Sequence, residues 1–457
     1  MKVVVCGAGQ VGSQIARHLA EEGNNVTVID HNSGLVRRLA DMFDISGIVG
    51  FASRPDVLKR AGTDDCDMLI AATSMDEVNM VACQVAHSVF EVPTKIARVR
   101  TESYLEAEWS DLFRREHLPI DVIISPETEV AQVTHRRLGA TAAFDIEPFL
   151  EGTIDFVGIR LEDDCPVTNT PLRQLSELFS TLRARVLAVK REGRLFTASP
   201  EDQLFPDDEV YFVAAREDVA RTFGIFGKQN RVANRVLIIG AGYVGLRLAR
   251  LIEERQGQRA TLIERNRDKA ERAVERLRRT VVLNGDALDS GIMEEAGLED
   301  ADAIVALTDD DRTNLMSCAL AEQTKPLISI ALAKDPVFER LADPLDIDAL
   351  IDPRATTVSS ILRHVRRGKI RAVYSVAGGA GEVIEAQVMS TSALAGKRLR
   401  DIDLPKGAIV GALRSGGRLV MPTGDTVIGV GDVLVLFAAR TAVRQVEQMF
   451  RVSIDFF

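Results

Sequence analysis

Residues 3–12 read VVVCGAGQVG, an apolar run that ends in a glycine-rich turn. Residues 236–245 read VLIIGAGYVG and repeat the pattern in the second half of the chain. In each copy the spacing predicts a buried strand, a tight turn and then a helix, which is the dinucleotide-binding fingerprint. A single GxGxxG is weak evidence. Two copies in matching contexts are much stronger evidence for nucleotide binding. The duplication restricts the range of possible functions more than the motif does.

The repeat extends well beyond the glycines. Residues 50–73 match residues 285–308 without a gap, and Asp121–Pro126 resembles Asp348–Pro353. Each copy reads as six short strands, apolar on both faces, that alternate with helical crossovers. Such strands are typical of a parallel sheet covered by helices. We therefore predict an α/β fold class with two Rossmann-like, doubly wound parallel-sheet domains.

Each Rossmann-like unit is followed by a shorter segment of alternating strands and turns, which predicts a small β-rich unit. Residues 185–190 lead into a turn at Glu192-Gly193, and residues 408–413 lead into a turn at Gly416-Gly417. A short polar linker is predicted at residues 228–231. The predicted domains are residues 1–138, 139–227, 232–366 and 367–457.

Charge, hydropathy and cysteine usage restrict the class of protein. The net charge of −11 argues against nucleic acid as a partner and against docking on an anionic lipid surface. The apolar runs are strand-length, whereas a membrane-spanning helix needs about 20 residues, and no signal peptide is visible. The five cysteines form no CxxC pair, so a zinc site and a disulfide framework are not expected and a reducing cytoplasm fits. Cys83 and Cys318 are predicted to be small buried hydrophobes.

The glycine-rich turns have a direct use in binding a dinucleotide. The first glycine permits the turn, the second lets a pyrophosphate approach the backbone, and the third lets helix and strand pack closely. The helix that follows offers unpaired N–H groups and a partial positive charge. The alternative, a turn that binds nothing, stays open for both copies.

One carboxylate closes the second strand of each copy. Asp30 and Glu264 occupy the place where an acid accepts hydrogen bonds from the adenosine ribose hydroxyls and repels a 2′-phosphate. This pattern favours NAD or NADH and leaves ATP and ADP possible. Arg265 follows Glu264 and weakens the argument in the second half. The alternative for either acid is a solvated charge at the end of a strand.

Polar residues also follow the fourth strand, at the topological switch where ligands lie. They are Thr73-Ser74 in the first half and Thr308-Asp309 in the second. The alternative function of these short side chains is to cap the helix that follows.

The two copies differ in two further places. Phe51 stands where the second half has Asp286, so the first site is expected to offer an apolar wall in place of a carboxylate. Arg98, which we align with Ala331, could reach a phosphate. The alternative for Arg98 is a surface arginine.

The sequence offers no catalytic set, and we predict neither catalytic residues nor a metal site. A hydride-transfer enzyme needs a substrate pocket and a proton donor or base. No nucleophile elbow, phosphate-loop lysine or metal-ligand cluster is apparent. The histidines are scattered and do not recur at equivalent positions: His18, His31, His87, His117, His135 and His364.

These residues resemble a known family. The order of a Rossmann unit and a small β-rich unit, given twice, is similar to the tandem RCK (also called KTN) proteins, the TrkA-type regulatory subunits of bacterial Trk potassium uptake systems. The resemblance covers essentially the whole chain. The stretches that carry it are VVVCGAGQVGSQIA from residue 3, GFASRPDVLKRAG from 50, DMLIAATSMDEVNMVACQVA from 67, ALTDDDRTNLMSCALA from 306 and IDPRATTVSSILRHVRRG from 351.

The resemblance implies a nucleotide-sensing regulatory protein that is not an enzyme. It implies that each small unit is an α+β RCK C-terminal domain, that the cofactor is NAD or NADH with ATP or ADP possible, and that the chain forms a homo-oligomer, a tetrameric ring of eight RCK units. The implied partner is a potassium-translocating integral membrane protein (TrkH/TrkG-like), which the ring would gate from the cytoplasmic side, attached peripherally to the inner face of the cell membrane. The implied nucleotide contacts are Gly7, Ala8, Gly9, Gln10, Val11, Gly12, Asp30, Thr73, Ser74 and Arg98, and in the second half Gly240, Ala241, Gly242, Tyr243, Val244, Gly245, Glu264 and Thr308.

Two other functions remain open on the residues alone. One is an NAD-dependent oxidoreductase with duplicated Rossmann domains. The other is a cytoplasmic regulator of a different ion transporter.

Overall fold

A computed structural model describes residues 1–21, 23–229, 231–365 and 370–450. The chain divides into two compact units, and each unit takes segments from both halves of the sequence. Unit one contains residues 1–135 and 234–365, and unit two contains residues 136–233 and 366–457. The predicted limits of the four domains stay predictions. Asn230 of the predicted linker, residue 366 at the end of the third predicted domain, and residues 367–369 and 451–457 at the two ends of the fourth lie outside the described residues.

The strands of both units are short, and we number them in chain order. They are β1 (Lys2–Cys6), β2 (Asn25–Asp30), β3 (Ser46–Val49), β4 (Met68–Ala71), β5 (Thr94–Arg98), β6 (Val122–Ile124), β7 (Asp145–Phe149), β8 (Ile154–Arg160), β9 (Ala184–Arg191), β10 (Arg194–Thr197), β11 (Glu209–Ala215), β12 (Arg235–Ile239), β13 (Arg259–Glu264), β14 (Val281–Asn284), β15 (Ala303–Ala306), β16 (Ile328–Leu332), β17 (Ala349–Ile351), β18 (Ile370–Val376), β19 (Gly381–Gln387), β20 (Ala408–Ser415), β21 (Arg418–Val420) and β22 (Val433–Ala439).

The helices connect these strands and are numbered in the same way. They are α1 (Gln10–Glu21), α2 (Ser33–Met42), α3 (Pro55–Arg60), α4 (Asp76–Ser88), α5 (Pro126–Leu138), α6 (Leu172–Leu178), α7 (Val219–Ile225), α8 (Tyr243–Glu254), α9 (Arg267–Arg276), α10 (Ser290–Glu295), α11 (Asp311–Ala321), α12 (Glu339–Ala342), α13 (Pro353–Val365) and α14 (Val443–Met449).

Unit one contains two six-stranded parallel sheets, which confirms the predicted fold class. Their strand orders are β3-β2-β1-β4-β5-β6 and β14-β13-β12-β15-β16-β17. The central strands β4 and β15 are buried along their whole length, because helices cover both faces. The chain reverses direction across each sheet between the first and fourth strands, so the glycine turns lie at the switch point where ligands bind.

The two Rossmann sheets of unit one share a helix. Val358, Ile361 and Val365 of α13 are buried in the same cluster as Val3 and Ile15 of the first sheet and its helix α1. The last helix of the second copy therefore completes the core of the first. The first copy therefore does not close its core with its own sequence alone.

Unit two contains two five-stranded antiparallel sheets with the same topology. Their orders are β10-β9-β11-β8-β7 and β18-β19-β22-β20-β21. The predicted turns at Glu192-Gly193 and Gly416-Gly417 join β9 to β10 and β20 to β21, and all four residues have positive φ. This agrees with the predicted β-rich texture, because two consecutive residues with positive φ match the twist of a hairpin.

The two antiparallel sheets of unit two pack face to face. Phe156 and Tyr211 of the first sheet and Phe437 of the second belong to one buried cluster. Gly411 allows the close approach, since an added Cβ would lie 2.8 Å from Leu187 of the other sheet. Small units that bury their faces against each other in this way do not leave an open apolar surface.

Polar contacts also join the two sheets. The Tyr374 hydroxyl donates to Asp145 Oδ1 (2.6 Å), and the Leu150 N–H donates to Glu385 Oε2 (2.7 Å). Burial raises the pKa of Asp145, against the opposing effect of Arg137 and of the Tyr374 hydrogen bond. The acid is therefore kept inside the interface at an electrostatic cost.

The cysteines and the helix lengths can be compared with the predictions of buried thiols and of strand-length apolar runs. All five cysteines are free and buried, and Cys83 and Cys318 are fully buried, which confirms their predicted place in the core. In the part of the chain that the structure describes, we find no helix with the length and apolarity that a bilayer crossing requires.

Candidate functional site

A carboxylate holds each glycine turn in place. Asp30 Oδ2 accepts from the Ala8 N–H (2.7 Å) and Oδ1 accepts from the Asn32 N–H (2.8 Å). Glu264 makes the same pair of bonds, to the Ala241 N–H (2.8 Å) and the Asn266 N–H (2.8 Å). Each acid thus ties the turn after the first strand to the helix after the second.

This arrangement contradicts the solvated-charge alternative for Asp30, whose side chain is only 11% exposed. An ionised carboxylate has about four acceptor positions, and two backbone N–H groups occupy two of them. Both acids therefore retain capacity to accept further hydrogen bonds from hydroxyl groups. The structural role was missed from sequence because the glycine turn and the acid lie far apart in the chain.

The glycines of each turn serve separate steric needs. Gly7 and Gly240 have φ of 108° and 102°, values that a side chain would strain. An added Cβ at Gly12 would lie 2.0 Å from the Gly7 carbonyl oxygen, and Gly245 has the same relation to Gly240. These positions fix the turn itself.

The middle glycines are different. A Cβ at Gly9 or Gly242 would meet nothing within 4 Å. The space in front of each turn is therefore open, at the N-terminal end of α1 or α8. That is where an anion is stabilised by unpaired N–H groups and the helix dipole.

The threonines after the fourth strands are held by buried asparagines. The Thr73 hydroxyl and N–H donate to Asn79 Oδ1 (2.7 and 2.9 Å), and Thr308 bonds to Asn314 Oδ1 in the same way (2.7 and 2.8 Å). The helix-capping alternative is wrong for these threonines. The residue at the N-terminal cap of α4 is Met75.

In the second half the cap is Asp310, whose side chain accepts from the Arg312 N–H. Thr308 is not a cap there either. Its neighbour Asp309 lies 3.4 Å from Lys334 Nζ, and both Asp309 and its first-half counterpart Ser74 are exposed.

Asp76 and Asp311, which occupy equivalent positions of the two copies, also support the switch region. Asp76 Oδ2 accepts from the Arg100 and Thr101 N–H groups (3.0 and 2.8 Å). Asp311 Oδ2 accepts from the Lys334 and Asp335 N–H groups (2.8 and 3.0 Å). Their recurrence at matched positions was the signal, and only the contacts assign the function.

The alignment of Arg98 with Ala331 is wrong by one residue. Ala97 and Ala331 occupy the same register position next to the fourth strand of their sheets. The Asn79 side chain donates to the Arg98 carbonyl (2.8 Å), and the Asn314 side chain donates to the Leu332 carbonyl (2.8 Å). Leu332 is therefore the counterpart of Arg98, and the second half still lacks an arginine there.

A cavity of about 820 Å³ opens at the second glycine turn and is lined by both halves of unit one. Second-half residues from the predicted set provide one side of it: Gly240, Ala241, Gly242, Tyr243, Val244, Glu264 and Thr308. First-half residues provide the other side: Gln10, Val11, Arg98, Arg100, Glu127 and Val130. The structure thus brings three first-half residues of the predicted set, Gln10, Val11 and Arg98, to the second-half site. The remaining first-half residues of that set gather at the carboxyl edge of the first sheet.

Arg98 is partly buried in this cavity and is not a free surface side chain. Burial lowers its pKa, with a further contribution from the neighbouring Arg100. Its Nε atom is buried and has no hydrogen-bond partner among the described residues. Arg100 donates from Nε to Glu127 (2.9 Å). An anion in the cavity would compensate the Arg98 guanidinium.

The rims of the two sites differ in character. In the first half the His31 and Phe51 rings are stacked, with centroids 5.5 Å apart and planes 4° from parallel. Phe51 is 57% exposed, in line with the predicted apolar wall. In the second half Arg265 and Asp286 line the cavity instead.

The structure offers no evident metal centre. Across residues 1–21, 23–229, 231–365 and 370–450, no group of three or more histidine, cysteine, aspartate or glutamate side chains could hold a metal ion.

Comparison with known proteins places the whole chain in one family of sequences. The TrkA-N domain model matches residues 3–126 and 236–353, and the TrkA-C domain model matches residues 156–227 and 383–451. A Trk system potassium uptake protein TrkA from Azorhizobium caulinodans is 47% identical over 458 residues, with 100% of each chain covered.

Solved structures share the fold at low sequence identity. The crystal structure of the GsuK RCK domain has a TM-score of 0.59 at 18% identity and covers 98% of this chain and 94% of its own. The GsuK channel bound to NAD has a TM-score of 0.59 at 17% identity and covers 98% and 78%. At these identities the likeness supports the fold alone.

Proposed function

This chain belongs to the TrkA family of Trk system potassium uptake proteins, and we propose that it is the regulatory subunit that senses NAD or NADH and thereby gates a separate potassium-translocating membrane protein. The observation that carries the proposal is the pair of glycine turns, each open in front and each held by a carboxylate that keeps acceptor capacity. The nucleotide contacts would be the residues that the family resemblance implies in the sequence analysis. ATP and ADP share the adenosine half and are alternative ligands.

The phosphates and the ribose would be bound by different parts of each site. The open turn and the first N–H groups of α1 or α8 would bind the pyrophosphate, and Asp30 or Glu264 would accept from the ribose hydroxyls. In support, a solved channel of the same fold is bound to NAD. Proteins of this family are named for potassium uptake and not for a reaction.

Coupling to a partner would use the shared cavity. A ligand on the second glycine turn also faces Gln10, Arg98 and Arg100 from the first half. It would therefore favour one arrangement of the two halves, and it shifts that equilibrium only by its differential affinity for the two arrangements. Couplings of about 1–3 kcal/mol, or roughly 5- to 150-fold, are typical. We propose that a homo-oligomeric ring, tetrameric in the family pattern, transmits this bias to the membrane partner on the cytoplasmic side.

Calorimetric titration of the full chain tests the nucleotide sites. NADH, NAD, ATP and ADP are titrated into wild type, Asp30→Ala and Glu264→Ala. We expect each substitution to weaken adenosine-ligand binding at its own site only. Asp41→Ala and Glu275→Ala, which remove exposed acids from α2 and α9, serve as matched controls and should leave both isotherms unchanged.

Unchanged isotherms for both Asp30→Ala and Glu264→Ala would remove the role assigned to the two acids. Steady oxidation of NADH by the purified chain with a small carbonyl compound would favour the oxidoreductase alternative. Deleting the chain should impair growth at low potassium, and a detergent extract should yield a potassium-translocating membrane protein bound to it. Normal growth together with no captured transporter would contradict the regulatory proposal.

A further inference from the structure

We propose that the two nucleotide sites differ in which purine they accept. The second-half site selects a 6-amino purine through Asp286, whereas the first-half site binds a purine on the faces of Phe51 and His31 with little selectivity. This inference rests on the proposed function, because it names the base selectivity of the same two sites.

The position of the base follows from the sheet geometry. Asp30 pairs with Val49 on the neighbouring strand β3, and Glu264 pairs with Asn284 on β14. Neighbouring strands lie about 4.8 Å apart. A nucleoside held through its ribose hydroxyls at the carboxylate carries its base on the next ribose carbon. The base therefore extends over the end of the third strand, two residues beyond which lie Phe51 and Asp286.

In the second half that position offers a carboxylate inside the cavity. Asp286 lines the cavity together with Glu264, and its Oδ1 accepts from the Leu288 N–H (3.0 Å). A carboxylate only accepts hydrogen bonds. The 6-amino group of adenine can donate to it, whereas guanine and hypoxanthine present a carbonyl oxygen at that place. With the 6-position at Asp286, a 6-oxo purine sets two acceptors against each other, and its N1–H reaches the carboxylate only if the base shifts, which disfavours a 6-oxo purine.

In the first half the same position offers an aromatic surface. The Phe51 ring is more than half exposed and lies parallel to His31. His31 Nδ1 already lies 3.3 Å from Asp30 Oδ1. Stacking on such a surface tolerates different bases, since each base has a π-face. The exchange of Phe51 for Asp286 thus replaces stacking with hydrogen-bond selection.

Two reduced dinucleotides separate the two modes of binding. NADH and reduced nicotinamide hypoxanthine dinucleotide differ on one edge of the base, where the second compound has a carbonyl in place of the 6-amino group and a proton on N1. Each is titrated by calorimetry into the full chain carrying Asp30→Ala, which leaves the second site, or Glu264→Ala, which leaves the first. We expect the hypoxanthine compound to bind roughly 10- to 100-fold more weakly than NADH at the second site. At the first site the two affinities should agree within about 3-fold.

Reciprocal substitutions assign the effect to the two residues. In the Asp30→Ala chain, Asp286→Asn should reduce the preference for NADH to about 3-fold, because an amide can donate to a carbonyl. In the Glu264→Ala chain, Phe51→Asp should create a preference for NADH, and Phe51→Tyr should not. Thermal unfolding of each variant checks that it remains folded.

The wild-type chain provides a measurement that needs no substitution. It should bind NADH at two sites but the hypoxanthine compound strongly at only one. Equal affinity for both compounds at the second site would overturn the inference and leave the proposed function intact. A folded chain that binds neither compound would remove the proposed function and the inference together.

Discussion

The two Rossmann copies of unit one agree where side chains hold the backbone and differ at the rims of the two glycine-turn sites. Asp30 and Glu264, with the same two backbone donors each, are interchangeable in geometry. So are the threonine and asparagine pairs after the fourth strands. The rims, in contrast, carry a His31–Phe51 stack in one copy and Asp286 with Arg265 in the other.

This contrast teaches which residues of a duplicated site are free to diverge. A buried backbone N–H that loses its acceptor costs about 1–3 kcal/mol in either copy, so both copies must keep the groups that satisfy it. The rim side chains support less of the backbone, since Asp286 accepts only from the Leu288 N–H two residues on, and these positions are freer to change. Substitutions of the residues that support the backbone should therefore cause large and similar losses of stability in the two halves. Substitutions at the rims should have smaller effects that differ between the halves.

Replacing the third glycine of each turn with alanine should cause the largest loss of folding stability. Gly12→Ala and Gly245→Ala each place a Cβ 2.0 Å from a backbone carbonyl oxygen that cannot move away without opening the turn. We expect each to lower the free energy of unfolding by about 3 kcal/mol, measured by urea denaturation. Gly9→Ala and Gly242→Ala meet no atom and should change stability by less than about 1 kcal/mol. A large difference between the two halves would contradict their structural equivalence.

Removing the buried asparagines comes next. Asn79→Ala and Asn314→Ala each leave a buried threonine N–H and a strand carbonyl without a partner. We expect a loss of about 2 kcal/mol in the free energy of unfolding for each, again by urea denaturation. Asn79→Asp and Asn314→Asp keep the acceptor but set a buried carboxylate against the carbonyl oxygens that Nδ2 served, so their losses should be at least as large. If alanine destabilised only one half, the asparagine would support the switch region in that half and not in the other.

Arg98 sharpens the comparison through binding. Its side chain lines the second-half cavity, where its Nε has no partner among the described residues, and the second copy has Leu332 in its place. In an Asp30→Ala chain, we expect Arg98→Ala to weaken ADP binding at the second site about 10-fold, since a charged hydrogen bond to phosphate is lost. Arg98→Lys should recover part of the affinity. If calorimetry finds the loss of ADP affinity only at the first site, measured in a Glu264→Ala chain, then Arg98 binds the ligand of the first-half site and not that of the second.

The smallest expected difference lies in unit two and depends on pH. Asp145 is half-buried against Tyr374, whereas the corresponding position of the second sheet, opposite Glu385, is Ala372. The folded-state pKa of Asp145 is raised above 3.8 by burial, so the folded protein binds this proton more tightly than the unfolded chain does. Its contribution to stability therefore falls as pH rises from about 3.8 to the raised value. Asp145→Asn should remove that slope in urea unfolding midpoints measured between pH 4 and 7, and an unchanged slope would show that another group carries it.

Several parts of the fold and site were predictable because their cause is local in sequence. The glycine turns, the carboxylates that end β2 and β13, and the positive-φ hairpin turns at Gly193 and Gly417 depend on a few neighbouring residues. The alignment of β5 with β16 was not predictable from the sequence. Matching Arg98 to Ala331 or to Leu332 leaves the apolar pattern unchanged, and only the pairing of the strands decides between them.

By itself the sequence determined that the chain holds two Rossmann sheets, each with a glycine turn after its first strand and an acid at the end of its second strand. Residue spacing decides both, since a strand, a glycine turn and a helix follow from local periodicity and backbone freedom. Tertiary structure alone decided that α13 completes the core of the other copy, that Arg98 lines the second-half cavity, and that the antiparallel sheets bury their faces against each other. These are contacts between segments far apart in the chain, where burial of apolar surface and pairing of buried polar groups, and not local pattern, select the partner.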